Sequence, residues 1–172
     1  TNDGQNDNGG AYANGYPPPS EWTPDMMREY FLGNKNTPFA NGQIIVLRDI
    51  YYDYNRYDIR SDAAADLDYL IELMRMHPSM EIAMTAHTDA RGSEEYNYWL
   101  SKNRARAARD YLINAGIATY RIHSARGRGE LELTNGCTDT VSCTEEEHQQ
   151  NRRTEIRIVR LDNPNVEIRD AR

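Results

Sequence analysis

The residues best suited to chemistry lie between positions 85 and 112, where a predicted strand is followed by a predicted helix. On a helical wheel at about 100° per residue, four residues share an arc that must face a sheet: Leu100, Ala107, Ala108 and Tyr111. Arg104 falls near the middle of this arc, with Asn97 on its flank. A guanidinium in that position is costly to bury unless a carboxylate or similar group meets it. We therefore interpret Arg104 as a residue with a specific partner.

Asp89 follows the strand predicted at 80–86 and lies beside the start of that helix. As a structural residue it would cap the helix N-terminus or pair with Arg104. As a functional residue it would share a solvent-open pocket with Arg104. Asp89 would then take an ammonium group, and Arg104 would take a carboxylate in two-pronged geometry. Such a pocket suits a zwitterion, and periodicity alone leaves both interpretations open.

The composition limits the classes of protein to consider. A chain of 172 residues can bury one hydrophobic core, so one domain is expected. The mean hydropathy is -0.87, and no apolar run approaches the roughly 18–20 residues that span a bilayer. The net charge is -7, with 27 acidic and 20 basic residues. This balance argues against DNA or RNA as the main partner, because such partners usually need a strongly basic face.

The N-terminal part of the chain is predicted to be a linker. Residues 1–20 are rich in Asn, Gly, Asp and Pro and cannot bury enough apolar surface to offset their ordering cost. Helical spacing over 22–32 indicates a possible short helix that begins near Pro24. We expect the linker and this helix over 1–40, a domain over 41–162 and a tail over 163–172. A chain that begins at Thr1 without a signal peptide is expected to be a processed or trimmed product.

From residue 44 onwards, strand-like and helical patterns alternate. The predicted elements are strands at 44–47 and 50–52, a helix from Ser61 or Asp62 to about 76, a strand at 80–86, a helix from Ser93 to about 116, and strands at 122–125 and 154–161. His77 ends the first helix because it precedes a proline, and Gly116 ends the second. The order β-α-β-α-β-β indicates an α/β fold, specifically an α+β two-layer sandwich with the helices on one face of a mixed sheet.

Two cysteines, Cys137 and Cys143, lie close together in a polar stretch. The simpler interpretation is a disulfide that closes a short surface loop, which indicates an oxidising compartment such as a periplasm. The alternative is a metal-binding module that uses both cysteines with His148 and His123, although a lone C-x5-C pair lacks the second ligand pair of the usual zinc patterns. The three glutamates at 145–147 are expected to start a short helix.

Five motifs between Ile44 and Leu161 occur in the order typical of one known family. They are YYDYN at 51–55, AHTDARG at 86–92, N-x-x-LS-x-x-RA at 97–105, G-x-GE at 127–130 and NRRTEI at 151–156. Together they resemble the OmpA C-terminal-like family of peptidoglycan-binding domains. Five motifs in this order are far more specific than any one of them alone.

The resemblance implies a β-α-β-α-β-β domain that binds the diaminopimelate of the peptidoglycan stem peptide non-covalently and without a cofactor. The principal ligands of the family fall on Asp89 and Arg104. The other contact positions of the family fall on Thr88, Asn97, Asp53, Arg152 and Arg153. Which of the last two arginines faces the ligand is open at this point. The Cys137–Cys143 insertion could form a lip over the site.

The resemblance also implies a setting. Such a domain anchors an outer-membrane protein or complex to the cell wall from the periplasm, here through the N-terminal linker. The rival enzymatic interpretation is a peptidoglycan hydrolase that uses His87, Thr88 and Asp89. It would require a nucleophile and a base within mutual reach. A histidine that precedes a turn is more often packed than catalytic, so we expect a binding module and not an enzyme.

Overall fold

The computed structural model describes residues 17–47, 59 and 64–162 of the chain. Within these ranges, one sheet contains strands β1 (Ile44–Leu47), β2 (Glu81–His87), β3 (Ile122–Gly129) and β4 (Arg153–Arg160). The α-helices are α1 (Pro24–Leu32), α2 (Ala65–Met76), α3 (Glu94–Asn114) and α4 (Glu145–Asn151), and short 3-10 turns occur at Pro19–Glu21 and Thr119–Arg121. The strand predicted at 50–52 and the helix start predicted at Ser61 or Asp62 lie outside the described residues.

The strands are arranged in the order β1-β4-β2-β3. Strand β4 is antiparallel to both β1 and β2, whereas β2 and β3 are parallel and are joined through α3. A parallel pair needs such a long crossover, while antiparallel neighbours do not. The mixed sheet and the order of its elements confirm the predicted fold class. The short helix expected near the three glutamates is also present, as α4 between β3 and β4.

One face of the sheet carries the core. In β1, Ile45 and Leu47 are buried while Ile44 and Val46 are exposed, because successive residues of a strand point to opposite faces. Helix α2 contributes its apolar side to the same core through Leu67, Leu70, Leu73 and Met74. Helix α2 ends before His77, as predicted from the following proline. Among the described helices, none combines the length and the apolar content that a membrane crossing requires.

The segment that precedes β1 packs against this core. Helix α1 begins after Thr23, whose side chain accepts a hydrogen bond from the amide of Met26, and Pro24 occupies its first position. Trp22 is buried and stacks on Tyr69 of α2 with 3.8 Å between the ring centroids. The short helix predicted between the linker and the domain is therefore present and docked. The division of the chain into linker, domain and tail stays a prediction.

Strand β3 is longer than the predicted strand at 122–125, because it continues through two glycines. A Cβ atom on Gly127 would lie 2.2 Å from the backbone nitrogen of Lys102 in α3. On Gly129, which has a φ of 54°, a Cβ would lie 3.0 Å from the backbone nitrogen of Tyr98. The glycines therefore do not end the strand. They allow α3 to pack directly on the backbone of β3.

The buried face of α3 differs from the predicted arc. Asn97, Leu100, Arg104 and Ala108 are buried as expected, but Ala107 and Tyr111 are only partly buried. Ser101, Ala105 and Leu112 are buried instead. The close contact with β3 turns the helix so that Ser101 faces the glycine backbone and accepts a hydrogen bond from the amide of Gly129 at 2.8 Å. The helical wheel correctly placed Arg104 on the buried face of α3. It did not account for the glycines of β3, which have no side chains and let the helix pack on the strand backbone.

Replacement of Gly127 by alanine should destabilise the domain, because the added methyl group must displace the backbone of α3. Overpacking of this type costs roughly 1–3 kcal/mol. The matched control is Gly136→Ala, where nothing lies within 4 Å of the added Cβ. Urea denaturation of both variants measures the difference. Equal midpoints for Gly127→Ala and Gly136→Ala would show that the helix and the strand are not in close contact.

Candidate functional site

A cavity of about 690 Å³ opens where the carboxyl end of β2 meets the N-terminal half of α3 and helix α4. Six of the seven predicted binding residues line it: Thr88, Asp89, Asn97, Arg104, Arg152 and Arg153. The seventh, Asp53, lies outside the described residues. Residues up to 65 positions apart in the chain, Thr88 and Arg153, are thus brought together by the adjacent placement of β2 and β4 in the sheet. Their joint role as binding residues stays a prediction at this stage.

Arg104 occupies the wall of this cavity. Only 7% of the surface of Arg104 is exposed to solvent, although the residue lines the cavity. It lies on the same face of α3 as three further lining residues, Tyr96, Asn97 and Leu100. From Tyr96 to Arg104, successive residues of this set are one, three and four positions apart. A positive charge is therefore held in a largely desolvated wall, where it interacts more strongly with an anion than it would in water.

Asp89 belongs to a ring of four alternating charges. Its Oδ2 accepts hydrogen bonds from Arg91 at 2.9 Å and from Arg152 at 2.7 Å, and its Oδ1 accepts from the backbone amide of Arg91 at 3.0 Å. Glu145 completes the ring, because its two oxygens pair with Arg91 and Arg152. The interpretation of Asp89 as a helix cap is wrong. Ser93 caps α3 and accepts a hydrogen bond from the amide of Tyr96.

The ring determines the protonation state of Asp89. Burial alone would raise the pKa of its carboxyl group, but the hydrogen bonds from Arg91 and Arg152 outweigh burial and lower the pKa to about 2. The hydrogen bond from Arg152 likewise lowers the pKa of Glu145. Both carboxylates are therefore ionised at any physiological pH. The site presents two fixed negative charges among several guanidinium groups.

The side chain of Asn97 connects the loop after β2 to α3 through hydrogen bonds. Its side-chain nitrogen lies 3.3 Å from the carbonyl oxygen of Asp89, 3.1 Å from that of Arg91 and 2.7 Å from Oε2 of Glu130. These contacts fix the loop that carries the carboxylate of Asp89. Burial raises the pKa of Glu130, and the hydrogen bond from Asn97 acts against this change. Asn97 therefore positions Asp89 as well as lining the cavity.

The two consecutive arginines that the sequence could not distinguish have different surroundings. Arg152 reaches across the cavity mouth to Asp89 and also contacts Gln149 of α4. Arg153 is buried, donates to the carbonyl oxygen of Glu132 at 3.0 Å and lies 3.6 Å from the carboxylate of Glu155. Both line the cavity, Arg152 at its charged rim and Arg153 in its wall.

Thr88 and His87 form the inner end of the site. The hydroxyl group of Thr88 is buried and has no hydrogen-bond partner among the described residues. The ring of His87 is buried, with Nε2 2.7 Å from Glu155 and Nδ1 3.9 Å from Glu132. Burial first, and then the charge of Arg153, lower the pKa of His87, while the two glutamates act in the opposite direction. Each ring nitrogen of His87 thus faces a carboxylate of the protein.

The prediction of a disulfide between Cys137 and Cys143 is confirmed. A disulfide offers no thiolate ligand, so the zinc alternative with His148 loses two of its ligands. The loop does not form a lip, since none of the cavity-lining residues in the described part of the chain belongs to it. Instead, it precedes α4, which begins with a capping box between Thr144 and Glu147.

Sequence reasoning missed the contribution of α4. Glu145 and Gln149 of α4 line the cavity together with the predicted Arg152, which follows the last residue of that helix, and their spacing of four and three residues places the three on one side. This spacing was a usable signal, as was the Asp-x-Arg arrangement that places Arg91 two residues after Asp89. Both signals were overlooked, because single charged residues near a loop usually face solvent without a partner.

The fold and the site together define an α/β domain with a charged cavity at the end of its central strands. The model of the OmpA family matches residues 51–152, and the chain belongs to this family. The peptidoglycan-associated lipoprotein of Rhizobium meliloti (strain 1021) is 36% identical over 60% of the chain and 56% of that protein. Outer membrane porin F of Pseudomonas aeruginosa is 30% identical over 62% of the chain and 31% of that protein.

Solved structures agree with this assignment. The crystal structure of the peptidoglycan-associated lipoprotein from Burkholderia pseudomallei is 26% identical and matches with a TM-score of 0.55, covering 73% of this chain and 97% of that one. The chain therefore spans nearly all of that solved domain, but less than two thirds of the two curated relatives.

Acid should remove the contribution of Asp89 to stability. Because its pKa falls from the usual 3.8 to about 2 on folding, the stabilisation is complete well above pH 3.8 and disappears as the pH falls towards 2. We expect Asp89→Asn to lower the free energy of unfolding by at most about 2 kcal/mol at pH 7, and by progressively less below pH 4. Thermal melts from pH 7 to pH 2.5 measure this, with the exposed Asp110→Asn as control. A constant difference across that range would contradict the ring of charges.

Loss of the disulfide should weaken the domain on the side of α4. The bonded cysteines are six positions apart, and closure of so short a loop stabilises by about 2 kcal/mol in the chain-entropy model. Dithiothreitol should lower the urea midpoint of the wild-type chain and leave the double variant Cys137→Ser/Cys143→Ser unchanged. If the reductant has no effect on the wild type, the bond does not contribute to stability.

Proposed function

We propose that the domain binds peptidoglycan through the diaminopimelate of the stem peptide and holds its protein at the cell wall without cutting it. The observation that carries the proposal is a buried guanidinium, that of Arg104, in the wall of an open cavity whose rim holds the carboxylate of Asp89. A free amino-acid head group carries one carboxylate and one ammonium. The cavity offers a group of the opposite charge for each of them.

The carboxylate of the ligand would pair with Arg104. In a desolvated wall, a guanidinium forms a two-pronged, charge-assisted hydrogen bond with a carboxylate. The buried hydroxyl of Thr88 supplies a further hydrogen-bonding group at the inner end of the cavity. A ligand oxygen or nitrogen that reaches Thr88 would satisfy a polar atom that is otherwise costly to bury.

The ammonium of the ligand would pair with Asp89. In the structure, Arg91 and Arg152 pair with this carboxylate. The side chain of Arg91 is 52% exposed, so it can exchange Asp89 for water at little cost, whereas Arg152 is more enclosed. The ammonium would replace Arg91, which keeps Glu145 as a partner. Asp53, which the family resemblance adds to the contact residues, is proposed as a ligand on that basis alone.

Two relatives support this proposal, since the Rhizobium protein and the Burkholderia structure are both peptidoglycan-associated lipoproteins. Outer membrane porin F supports an association with the outer membrane. We propose that this chain also acts in the periplasm, joined through its N-terminal segment to an outer-membrane protein or complex. The Cys137–Cys143 disulfide is consistent with that oxidising compartment.

The site favours binding over hydrolysis. A hydrolase that used Thr88 would need a base to take the proton of its hydroxyl group. The two ring nitrogens of His87 face Glu155 and Glu132, and both ring nitrogens are buried. Incubation of the purified chain with sacculi should therefore release no soluble muropeptides. Release of such fragments would favour the hydrolase.

Arg104→Ala should abolish retention on purified sacculi. Loss of a charge-assisted contact worth roughly 1.5–3 kcal/mol weakens binding about tenfold to 150-fold. Arg104→Lys retains the charge but not the two-pronged geometry, so it should bind with intermediate affinity. Arg106→Ala removes an exposed arginine from the same helix and is the matched control. Circular dichroism checks that each variant is folded. Equal retention of Arg104→Ala and Arg106→Ala would refute the site.

The chemistry of the ligand provides an independent test. Stem peptides in which lysine replaces diaminopimelate, or in which the side-chain carboxylate is amidated, lack the partner of Arg104. Isothermal titration with each peptide should give weaker binding to the wild-type chain. For Arg104→Ala, the three peptides should bind almost alike. If the wild type does not discriminate between them, the carboxylate is not what the cavity recognises.

A further inference from the structure

An aromatic pair, of which Tyr96 is partly buried and Trp99 is exposed, lies next to the cavity on helix α3. The rings of Tyr96 and Trp99 stack with 5.8 Å between their centroids and 30° between their planes. Tyr96 lines the cavity, whereas the residue surface of Trp99 is 46% exposed. The pair thus continues the cavity wall outwards as an aromatic surface. Trp22, by comparison, is 3% exposed and packed in the core.

We infer that the Tyr96–Trp99 pair is a stacking platform for a sugar ring of the glycan strand, next to the peptide cavity. The inference rests on the proposed function, because it is the stem peptide in the cavity that brings the glycan to this place. The hydrogens on one face of a pyranose ring form an apolar patch, and an aromatic face offers a matching apolar surface with a negative quadrupole. Aromatic rings accept such partners without losing much conformational entropy.

The dimensions of the ligand and of the helix agree. Arg104 and Tyr96 are eight residues apart on α3, which corresponds to about 12 Å along the helix axis. In the stem peptide, two residues separate diaminopimelate from the sugar and span at most about 7 Å when extended. The diaminopimelate side chain adds several ångströms between its terminal carboxylate and the peptide, so a ligand bound to Arg104 is long enough to bring its sugar to Tyr96 when the peptide runs towards the N-terminal end of α3. Asn97 and Leu100 line the cavity along this path.

Titration with two ligands tests the platform. The first ligand is a diaminopimelate-containing stem peptide, and the second is the same peptide attached to its disaccharide. The wild-type chain should bind the second ligand more tightly, by roughly threefold to tenfold, which is the range typical of one aromatic contact. Trp99→Ala should lose this advantage while binding the free peptide as the wild type does. Trp99→Phe should retain most of it, because the aromatic face is preserved.

Tyr98→Ala is the matched control, since Tyr98 is 52% exposed on the same helix but does not line the cavity. It should keep the full preference for the disaccharide-bearing ligand. The platform is refuted if Trp99→Ala keeps that preference, if it weakens both ligands equally, or if Tyr98→Ala loses as much. If the wild type binds both ligands alike, the proposed peptide site stands and the platform fails. If it binds neither, the proposed function fails as well.

Intrinsic fluorescence offers a direct signal from the same surface. The chain has two tryptophans, and only Trp99 is exposed. Addition of the disaccharide-bearing ligand should shift the emission of the wild-type chain and protect it from quenching by acrylamide. Trp99→Phe supplies the background from Trp22. Unchanged quenching at saturating ligand would contradict contact between the sugar and Trp99.

Discussion

The charges around one cavity must be compensated, and this requirement constrains how the surrounding elements of the domain are placed. Arg104 lies in a buried wall, and Asp89 at the rim is held between Arg91 and Arg152. A buried charge is tolerated only where hydrogen bonds and opposite charges compensate it. Strand β2, helix α3 and helix α4 each supply part of that compensation. Their mutual positions are therefore as important to the site as the identity of any single ligand residue.

The packing of α3 on β3 provides the rigidity that such a site needs. Gly127 lets the helix lie directly on the strand backbone, and Ser101 binds the amide of Gly129. The carbonyl oxygen of Gly129 in turn accepts a hydrogen bond from the amide of Thr88 at 2.9 Å. A short chain of contacts therefore runs from the helix through the strand to Thr88 and the loop that carries Asp89. Under the proposed function, side chains held in this way would lose little freedom on binding, which favours affinity.

The sequence predicted most of the fold and the principal residues of the cavity, for reasons that differ between residues. Arg104 could be located because a charge on an apolar helix face conflicts with periodicity, and Asp89 because it follows a strand. The family motifs then gave Thr88, Asn97 and the arginine pair. Arg91 and Glu145 were missed although their spacing gave a signal, because their pairing with each other depends on which loop meets which helix. The true face of α3 was also missed, because it depends on how closely the strand beneath approaches.

The stacking of Trp22 on Tyr69 affects how the domain would carry mechanical load. Tension applied from the N-terminal side of the chain reaches this aromatic contact and helix α1 before it reaches β1. Among the described strands, β1 lies at one end of the sheet order and is bonded to β4 alone, so without this contact tension would act on it directly. The docked segment therefore lies between the N-terminal side of the chain and the strand that contributes Leu47 to the cavity, so such tension would act first on an aromatic contact outside the cavity lining.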